Sequence, residues 1–280
     1  MAVRIVTDST ADLPADIVAA LGITVVPLHI YFGEAHFEDG VSITTNEFYR
    51  RLKTPNQPFP RTSAPSTGEF AAAYSRVCGQ GDEIVSIHLS PKLSATHAAA
   101  TAAAALVRPT CHVSVVDSAT ASLPLGLLVL QAAQMSRAGS SAAAIVDAIE
   151  SAAPRTRFFG VLETLEYLRK GGRIGRATAF VGGLLNAKPL IGLRDGVAYP
   201  IERVRGRQRA LERIVQMVEQ AGTLSSLAVG HTTDEEGMQA LVQRVSIHYP
   251  SERILRARCG ATLGSYLGPG AFGVAFIQSP

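Results

Sequence analysis

Residues 83–117, EIVSIHLSPKLSATHAAATAAAALVRPTCHVSVVD, contain the pattern that decides the fold. The runs EIVSIHL (83–89) and CHVSVVD (111–117) are short and rich in β-branched residues, which predicts strands. Between them, the alanine-rich segment from Ser94 to Val107 has the composition and length of a helix. Two strands joined by such a helix are typical of a β-α-β unit, so this stretch predicts a parallel sheet.

The same alternation of strands and helices extends through the first half of the chain. Further strands are predicted at 4–7 and 23–32, and further helices at 12–22, 46–52 and from Ser66 to about Cys78. Ser66 and Glu69 have the spacing of a capping box, which fixes where the last of these helices begins. The four prolines of segment 54–66 predict irregular structure. We therefore expect an N-terminal α/β domain with a doubly wound, mainly parallel sheet.

The second half of the chain has a different pattern. The run LIGLRDGVAYPIERV (190–204) reads as a β-hairpin that turns at Asp195 and Gly196. A hairpin among alternating strands and helices indicates a mixed sheet, and two strands are expected to close the chain. We therefore predict an α/β protein of two domains, an N-terminal one at residues 1–153 and a C-terminal one with a mixed sheet at 154–280.

Composition and charge limit the classes of function. Of the 280 residues, 47% are hydrophobic and 18% are charged, which indicates an ordered protein with a large core. The net charge of +3 is too small to indicate nucleic acid as a partner. The chain starts without the apolar run of a signal peptide, and the apolar stretch 123–130 is too short to span a membrane. We therefore expect a cytoplasmic protein with no membrane span and no nucleic-acid partner.

The cysteines and histidines show no pattern of a metal or redox site. Cys78, Cys111 and Cys259 are odd in number and lack C-x-x-C spacing, which favours reduced core thiols over a disulfide framework. The seven histidines show no ligand spacing, so we expect no metal and no cofactor. Residues 268–273, GPGAFG, match G-x-G-x-x-G, but the seven residues that follow read as a strand and exclude a dinucleotide fingerprint.

Three short runs carry hydroxyl groups at the points where a strand or loop leads into a helix. They are TDST (7–10), TSAPS (62–66) and LSAT (93–96), and all three are expected at the carboxyl edge of the parallel sheet. Open α/β sheets bind ligands at this edge, where helix N-termini favour anions. A single run of this kind is more often an ordinary N-cap, and it is the three runs together that indicate a ligand site. The cluster at 62–66 has no neighbouring base, so its hydroxyls are expected to bind an anion and not to act as nucleophiles.

These runs resemble those of the DegV family, whose members bind fatty acids. Four longer segments extend the resemblance over essentially the whole chain, namely LEYLRKGGRIG (165–175), LLNAKPLIGLRDG (184–196), VRGRQRAL (204–211) and GSYLGPGAFGVAF (264–276). The resemblance implies two α/β domains with a long-chain fatty acid held between them. It also implies a carrier that presents the bound acid to a separate kinase, which makes an acyl phosphate.

The resemblance assigns roles to individual residues. In the family, the hydroxyls that hold the fatty-acid carboxylate match Thr62 and Ser94, and Arg173 matches a position near the head group. An exposed charge at the start of a helix would explain Arg173 equally well. The chain departs from the family at Ala95, where a glycine is usual, and at Tyr266, where a histidine is usual. The ligand-binding residues implied in this way are Thr62, Ser63, Ser94, Ala95, Arg173, Ser265 and Tyr266.

A group of arginines follows the predicted hairpin. Arg205, Arg209 and Arg213 are spaced by four residues, as on one face of a helix, and Arg203 and Arg207 lie nearby. One interpretation is a solvated face interleaved with Glu202 and Glu212. The other, implied by the basic surface of the family, is a docking site for an acidic kinase partner, with Arg205, Arg207 and Arg209 as the docking residues.

The function that we expect is therefore a carrier of a long-chain fatty acid such as palmitate, and not an enzyme. The alternative is a serine-dependent acyl hydrolase with Ser94 or Ser9 as the nucleophile and Asp8 nearby. No base stands beside either serine in the sequence, so this alternative needs a distant histidine such as His231. Chain length of the acid and oligomeric state are not encoded in any motif.

Overall fold

The computed structural model describes residues 2–180 and 187–280. The first three residues of the segment 184–196 lie outside the described residues. The strands are β1 (Val3–Asp8), β2 (Thr24–Val26), β3 (His29–Phe32), β4 (Ala35–Glu38), β5 (Arg61–Ser63), β6 (Glu83–His88), β7 (His112–Asp117), β8 (Thr156–Val161), β9 (Ala187–Arg194), β10 (Val197–Arg205), β11 (Leu224–His231), β12 (Leu255–Arg258) and β13 (Phe272–Gln278).

The α-helices alternate with these strands over much of the chain. They are α1 (Ala15–Leu21), α2 (Thr45–Leu52), α3 (Thr67–Val77), α4 (Thr96–Val107), α5 (Leu123–Arg137), α6 (Ala142–Ala152), α7 (Glu166–Lys170), α8 (Arg207–Glu219), α9 (Glu235–Val245) and α10 (Ala261–Leu267). The capping box at the start of α3 is confirmed, because the Ser66 hydroxyl accepts from the Glu69 backbone N–H and the Glu69 carboxylate accepts from the Ser66 N–H.

The first large sheet has the strand order β2-β1-β6-β7, and every neighbouring pair is parallel. The prediction of a parallel sheet is therefore confirmed. Strands β6 and β7 with the intervening α4 form the β-α-β unit that residues 83–117 predict. The carboxyl ends of β1 and β6 lie side by side, which brings the loops after Asp8 and His88 to one edge of the sheet.

The second large sheet is mixed, with the order β10-β9-β8-β13-β11-β12. Its strands pair antiparallel except for β11 and β12, which are parallel. The hairpin β9–β10 turns at Asp195 and Gly196, as predicted, and both residues have positive φ (50° and 72°). This conformation suits a two-residue turn, and glycine adopts it without steric cost.

The prediction of one strand over 23–32 is wrong. Pro27 lacks an N–H group for a sheet ladder, and here the chain leaves β2 of the parallel sheet to form β3 of a third sheet. That sheet is antiparallel, with the order β4-β3-β5. Strand β5 (Arg61–Ser63) falls in the segment expected to be irregular, between Pro60 and Pro65. Thr62 therefore lies on the small sheet and not on the edge of the parallel sheet.

Helix α5 joins the two large sheets through one core. Its Leu125 and Leu128 are fully buried, and they belong to a cluster with Ile87 of the parallel sheet and Ala275 of the mixed sheet. A helix that is covered on all sides is apolar all round, which explains the run LPLGLLVL at 123–130. None of the described helices is long and apolar enough to cross a membrane. The domain boundary near residue 153 falls between α6 and β8 and stays a proposal.

Helix α10 was not predicted from the sequence, which indicated only two closing strands after α9. The helix packs against α2, β3 and β5, so the small sheet and the C-terminal part of the chain share a core. Its start is held by the buried Asp39 carboxylate, which accepts from the N–H groups of Ala261 (2.9 Å) and Thr262 (3.1 Å). These bonds satisfy donors that a helix leaves free at its N-terminus.

The expectation that all three cysteines are reduced is wrong. Cys78 and Cys111 form a disulfide, with their Cα atoms 6.2 Å apart, and only Cys259 is a free thiol. Cys78 ends α3 and Cys111 precedes β7, and the packing of α3 beside α4 brings these distant positions together. A separation of 33 residues carries no motif that could have indicated the pair.

Candidate ligand-binding cavity

A cavity lies where the two large sheets and helix α10 meet. It contains about 970 Å³ of space free of protein atoms, its open mouth included. Most of its wall is apolar and comes from separate parts of the chain, among them Leu28, Leu89, Phe158, Ile191, Leu193 and Leu267. The wall also includes hydroxyl groups and one arginine, so that the cavity combines a long apolar surface with a few polar groups.

The polar groups include Thr62 on β5 and Tyr266 on α10. The Thr62 Oγ1 and the Tyr266 hydroxyl are 2.5 Å apart, so one donates a hydrogen bond to the other. Both side chains are half-buried and line the cavity. This bond uses only one of the two protons, so the hydroxyl that accepts keeps its own proton for a ligand, and both oxygens keep free lone pairs.

Ser94 lies in the loop between β6 and α4 and lines the same cavity. Its hydroxyl oxygen is 2.8 Å from the Thr96 Oγ1 and accepts from the Thr96 backbone N–H at 3.3 Å. These contacts hold the Ser94 side chain beside Thr96, the first residue of α4, whose N-cap residue is Ala95. If the Thr96 hydroxyl donates to the Ser94 oxygen, the Ser94 hydroxyl keeps its own proton for a ligand in the cavity.

Arg173 supplies the positive charge of the cavity. Its Nε donates to the Leu93 carbonyl oxygen (3.1 Å) and its Nη1 to the Gly171 carbonyl oxygen (2.8 Å). The guanidinium carbon lies 5.4 Å from the centroid of the Tyr266 ring, within range of a cation–π contact. Within residues 2–180 and 187–280, Arg173 has no carboxylate partner, so its charge is available to an anionic ligand.

Gly171 determines where the Tyr266 ring can lie. A Cβ atom added at this position would come within 2.5 Å of the ring carbons of Tyr266. Real atoms do not approach so closely, so any larger residue would displace the ring and its hydroxyl. Gly171, the first glycine of the segment KGGR (170–173), therefore has a packing role at the cavity.

The predicted ligand-binding residues reach the cavity with one exception. Ser63 and Ala95 line it together with the four residues described above. Ser265 does not, because it is buried and its hydroxyl donates to the Ala261 carbonyl oxygen one turn earlier in α10 (2.9 Å). Thr10 and Ser122 line the cavity and were not predicted as ligand residues, although Thr10 belongs to the TDST run.

Buried carboxylates hold the loops around the cavity. The Asp8 carboxylate accepts from the Thr10 N–H (3.0 Å) and contacts the His88 Nδ1 (2.9 Å), which fixes the turn after β1. The Asp12 carboxylate accepts from the Ser122 hydroxyl (2.7 Å) and from the Gly260 N–H (2.8 Å). Burial raises the pKa of Asp12 from its ordinary value of 3.8 to about 7.

In the described structure, the serines proposed as nucleophiles lack a histidine partner, and the carboxylate near Ser9 is that of the buried Asp39. Ser94 bonds only to Thr96, and the Ser9 hydroxyl accepts from the Leu28 N–H at 3.1 Å. His231 lies at the end of β11 and is not part of the cavity wall. Among the side chains that the structure describes, no histidine forms a hydrogen bond with either serine.

The arginine group is not one helical stripe. Arg205 ends strand β10, whereas Arg207, Arg209 and Arg213 lie in α8. Arg207 pairs with Asp234 and Glu236, and Arg213 pairs with Glu202. Arg205 and Arg209 are exposed, and the described part of the chain gives neither of them an acidic partner.

One group of possible metal ligands lies outside the cavity. Single ligand atoms of His29, Glu38 and Glu69 lie within 4.8 Å of one another. The His29 Nε2 already contacts the Glu69 carboxylate (3.1 Å), and the His29 Nδ1 contacts the His36 Nε2 (3.0 Å). His29 and Glu69 therefore already have partners within the protein, and Glu69 also belongs to the capping box of α3.

The arrangement suits an amphiphilic ligand. An anionic head group would meet the hydroxyls of Thr62, Ser94 and Tyr266 and the charge of Arg173, while a hydrocarbon chain would cover the apolar wall. Hydrogen bonds to a charged acceptor are stronger than those to a neutral one. Fold and site together define an α/β protein with a mainly apolar cavity whose wall carries a few polar groups.

Comparison with known proteins gives the family. The family described as "Uncharacterised protein, DegV family" matches residues 2–279, and the chain belongs to it. A DegV domain-containing protein of Deinococcus radiodurans is 38% identical over 280 residues, which cover 98% of each chain. A DegV-family protein of Thermus thermophilus, described by its fatty acid binding, superposes over 100% of both chains with a TM-score of 0.92 at 35% identity. DegV of Bacillus subtilis, described as a fatty acid binding protein, matches over 100% of both chains with a TM-score of 0.89 at 32% identity.

Proposed function

We propose that this protein binds a long-chain fatty acid, such as palmitate, and acts as its carrier in fatty-acid transport or metabolism. The observation that carries the proposal is the apolar cavity with Thr62, Ser94 and an unpaired Arg173 on its wall. The carboxylate accepts from the two hydroxyls, and Arg173 and Tyr266 complete the head-group site. The fatty acid binding of the related proteins of Thermus thermophilus and Bacillus subtilis supports the same ligand.

The acyl chain supplies most of the affinity in this proposal. At about 0.8 kcal/mol per buried CH₂, roughly fourteen methylenes give a gross gain on the order of 11 kcal/mol. Association and ordering cost an estimated ~4–15 kcal/mol, which offsets much of this gain. The hydrogen bonds at the carboxylate then fix the orientation of the acid and decide how much net affinity is left.

A carrier role is favoured over catalysis. Attack by Ser94 or Ser9 on an ester would need a base within hydrogen-bond reach. Ser94 contacts Thr96, and the carboxylate near Ser9, that of Asp39, already accepts from the N–H groups of Ala261 and Thr262 at the start of α10. In the carrier, the Ser94 hydroxyl only donates to a carboxylate. The exposed Arg205 and Arg209 suit docking of an acidic kinase that would phosphorylate the bound acid. Arg207 belongs to the same proposed docking surface, although its charge is paired with Asp234.

The experiment is mass spectrometry of the purified protein after denaturing extraction, combined with an esterase assay. A co-purified C14–C18 acid, together with no turnover of p-nitrophenyl esters, is the expected result. Ester turnover that disappears in Ser94→Ala would contradict the proposal and support the hydrolase. The Ser265→Ala variant is the matched control, because that hydroxyl stays inside α10.

A further inference from the structure

A second groove lies at the carboxyl ends of β11 and β12. These two strands are the parallel pair of the mixed sheet, and α9 and α10 follow them. Carboxyl ends of neighbouring parallel strands are where α/β sheets bind ligands. The groove holds about 920 Å³ of space free of protein atoms, its open side included. No described residue that lines it also lines the fatty-acid cavity.

Arg258 forms the floor of this groove. Its Nε donates to the Thr232 carbonyl oxygen (3.1 Å), its Nη1 donates to the Asn46 side-chain oxygen, and its guanidinium lies 5.4 Å from the Tyr49 ring centroid. The side chain is half-buried and has no carboxylate partner in residues 2–180 and 187–280. A partly desolvated guanidinium without a counter-ion is costly, and a bound anion would remove that cost.

Other cations and donors face the same space. Lys53 is exposed on the rim and makes no ion pair within the described parts of the chain. Arg50 is also on the rim, but Glu47 already neutralises it. Glu235 is the acidic residue among the groove residues. The Thr233 hydroxyl accepts from the Gly270 N–H (2.9 Å), which leaves its own proton free for a ligand.

His231 adds a buried imidazole to the wall of the groove. The side chain is 92% buried, and its Nδ1 has no hydrogen-bond partner among the described residues. Burial, and then the charge of Arg258, lower the pKa of this histidine, which favours the neutral imidazole. A neutral ring carries one proton, so His231 can supply one N–H donor to a ligand.

We propose that this groove is a binding site for a phosphate group. Arg258 and Lys53 supply the charge, and His231 and Thr233 supply N–H and O–H donors. A tetrahedral phosphate offers oxygens in several directions, which suits donors that come from α2, β11, β12 and the loop before α9. The rest of the groove accommodates the remainder of a phosphate-bearing molecule, which is either a soluble phosphomonoester or the head group of a phospholipid. The site stands independently of the fatty-acid cavity.

Titration calorimetry with inorganic phosphate tests the proposal, with sodium chloride used to hold the ionic strength constant. Phosphate binds the wild-type protein, and Arg258→Gln weakens the binding about tenfold or more, as expected for a hydrogen bond to a charged group. The exposed Lys53→Gln removes one charge without touching the core and weakens binding in the same direction. Arg108→Gln, an equal change of charge at an exposed position away from the groove, leaves binding unchanged.

Vesicle sedimentation separates the two sources of phosphate. If the ligand is a lipid head group, the protein sediments with phosphatidylcholine vesicles that contain phosphatidic acid but not with pure phosphatidylcholine, and Arg258→Gln abolishes this. If the ligand is soluble, neither vesicle binds and calorimetry alone gives a signal. The proposal is overturned if phosphate produces no heat and vesicles show no difference. It is equally overturned if Arg258→Gln and Lys53→Gln both bind phosphate as the wild type does.

Discussion

The polar groups and the apolar wall of the cavity are built in different ways. Thr62 and Ser94 come from short runs that can be recognised in the sequence, and each is fixed by a named hydrogen bond. The wall is assembled from single residues such as Leu28, Phe158 and Leu193, which are far apart in sequence and share no motif. In the proposed carrier, the few precise contacts would set the position and orientation of the ligand, and the wall, which only the fold brings together, would supply most of the affinity.

The largest expected effect comes from placing a charge in the apolar wall. Leu193→Asp puts a carboxylate against the acyl chain, and we expect at least about a hundredfold loss of fatty-acid affinity because an unpaired charge would be desolvated. Arg194→Asp is the matched control, since the next residue of β9 points to the other face of the sheet and is exposed. If calorimetry shows equal fatty-acid affinity in both variants, the apolar wall does not contact the ligand.

The next effect separates the cavity from the protein surface. Reversing Arg205 and Arg209 to Glu leaves the cavity untouched and removes two exposed arginines that have no acidic partner in the described chain. We expect affinity for a purified fatty-acid kinase to fall by more than about tenfold, since rim charges steer association. Fatty-acid affinity stays at the wild-type value. Unchanged kinase binding would mean that these arginines form a solvated face and do not dock a partner.

A smaller effect tests how the Tyr266 ring is held. Gly171→Ala forces the ring away from its position, because the new Cβ would lie 2.5 Å from its carbons. We expect roughly a threefold to tenfold loss of fatty-acid affinity, as for one weakened hydrogen bond to a charged group. In Gly68→Ala, the added Cβ meets only the Ser66 Oγ at 3.8 Å, so this variant binds as the wild type does. Equal affinities in the two variants would mean that Tyr266 does not contact the ligand.

The smallest effect concerns stability, through the Asp12 carboxylate that links Ser122 to Gly260. Its pKa is about 7 in the folded protein and ordinarily 3.8, so between these values the folded state holds a proton that the unfolded chain has lost. Stability from this group is therefore present at low pH and lost as pH rises through the window. Asp12→Asn should gain several degrees in Tm over the wild type between pH 5 and pH 8.

The control for this measurement is Asp16→Asn, which removes an exposed carboxylate in α1. Its melting temperatures should follow the wild type at a constant offset across the same pH range. Asp39 is buried as well, and burial raises its pKa. Its charge also raises the pKa of Asp12, so the difference between Asp12→Asn and the wild type includes this coupling. Parallel curves for Asp12→Asn and the wild type would contradict a titrating Asp12.

The sequence predicts local features of this fold well and distant ones poorly. The parallel β-α-β unit, the capping box at Ser66 and the hairpin at Asp195 depend on nearby residues, and all three are confirmed. The break at Pro27 was missed because both flanking segments are equally strand-like, and the sheet that each one joins depends on distant partners. Helix α10 was missed because its short, glycine-containing sequence has no clear period.

The same distinction applies to the candidate site. Thr62 and Tyr266 are 204 residues apart, and no spacing rule relates them. Their proximity follows from α10 packing on the small sheet, which the sequence did not predict. Ser265 and Tyr266 are neighbours in the same matching segment, yet only Tyr266 reaches the cavity, because successive helical residues point about 100° apart. A motif therefore locates the segment, and the helix geometry selects the residue.

The most direct test of the central claim is calorimetric titration of palmitate into delipidated protein with the Thr62→Ala, Ser94→Ala and Ser265→Ala variants. A hydrogen bond to a charged group contributes ~1.5–3 kcal/mol, so loss of Thr62 or Ser94 should each weaken binding about ten- to a hundredfold. Ser265→Ala should bind as the wild type does, since its hydroxyl bonds within α10. If Thr62→Ala and Ser94→Ala both bind palmitate with wild-type affinity, the carboxylate is held elsewhere and the account is contradicted.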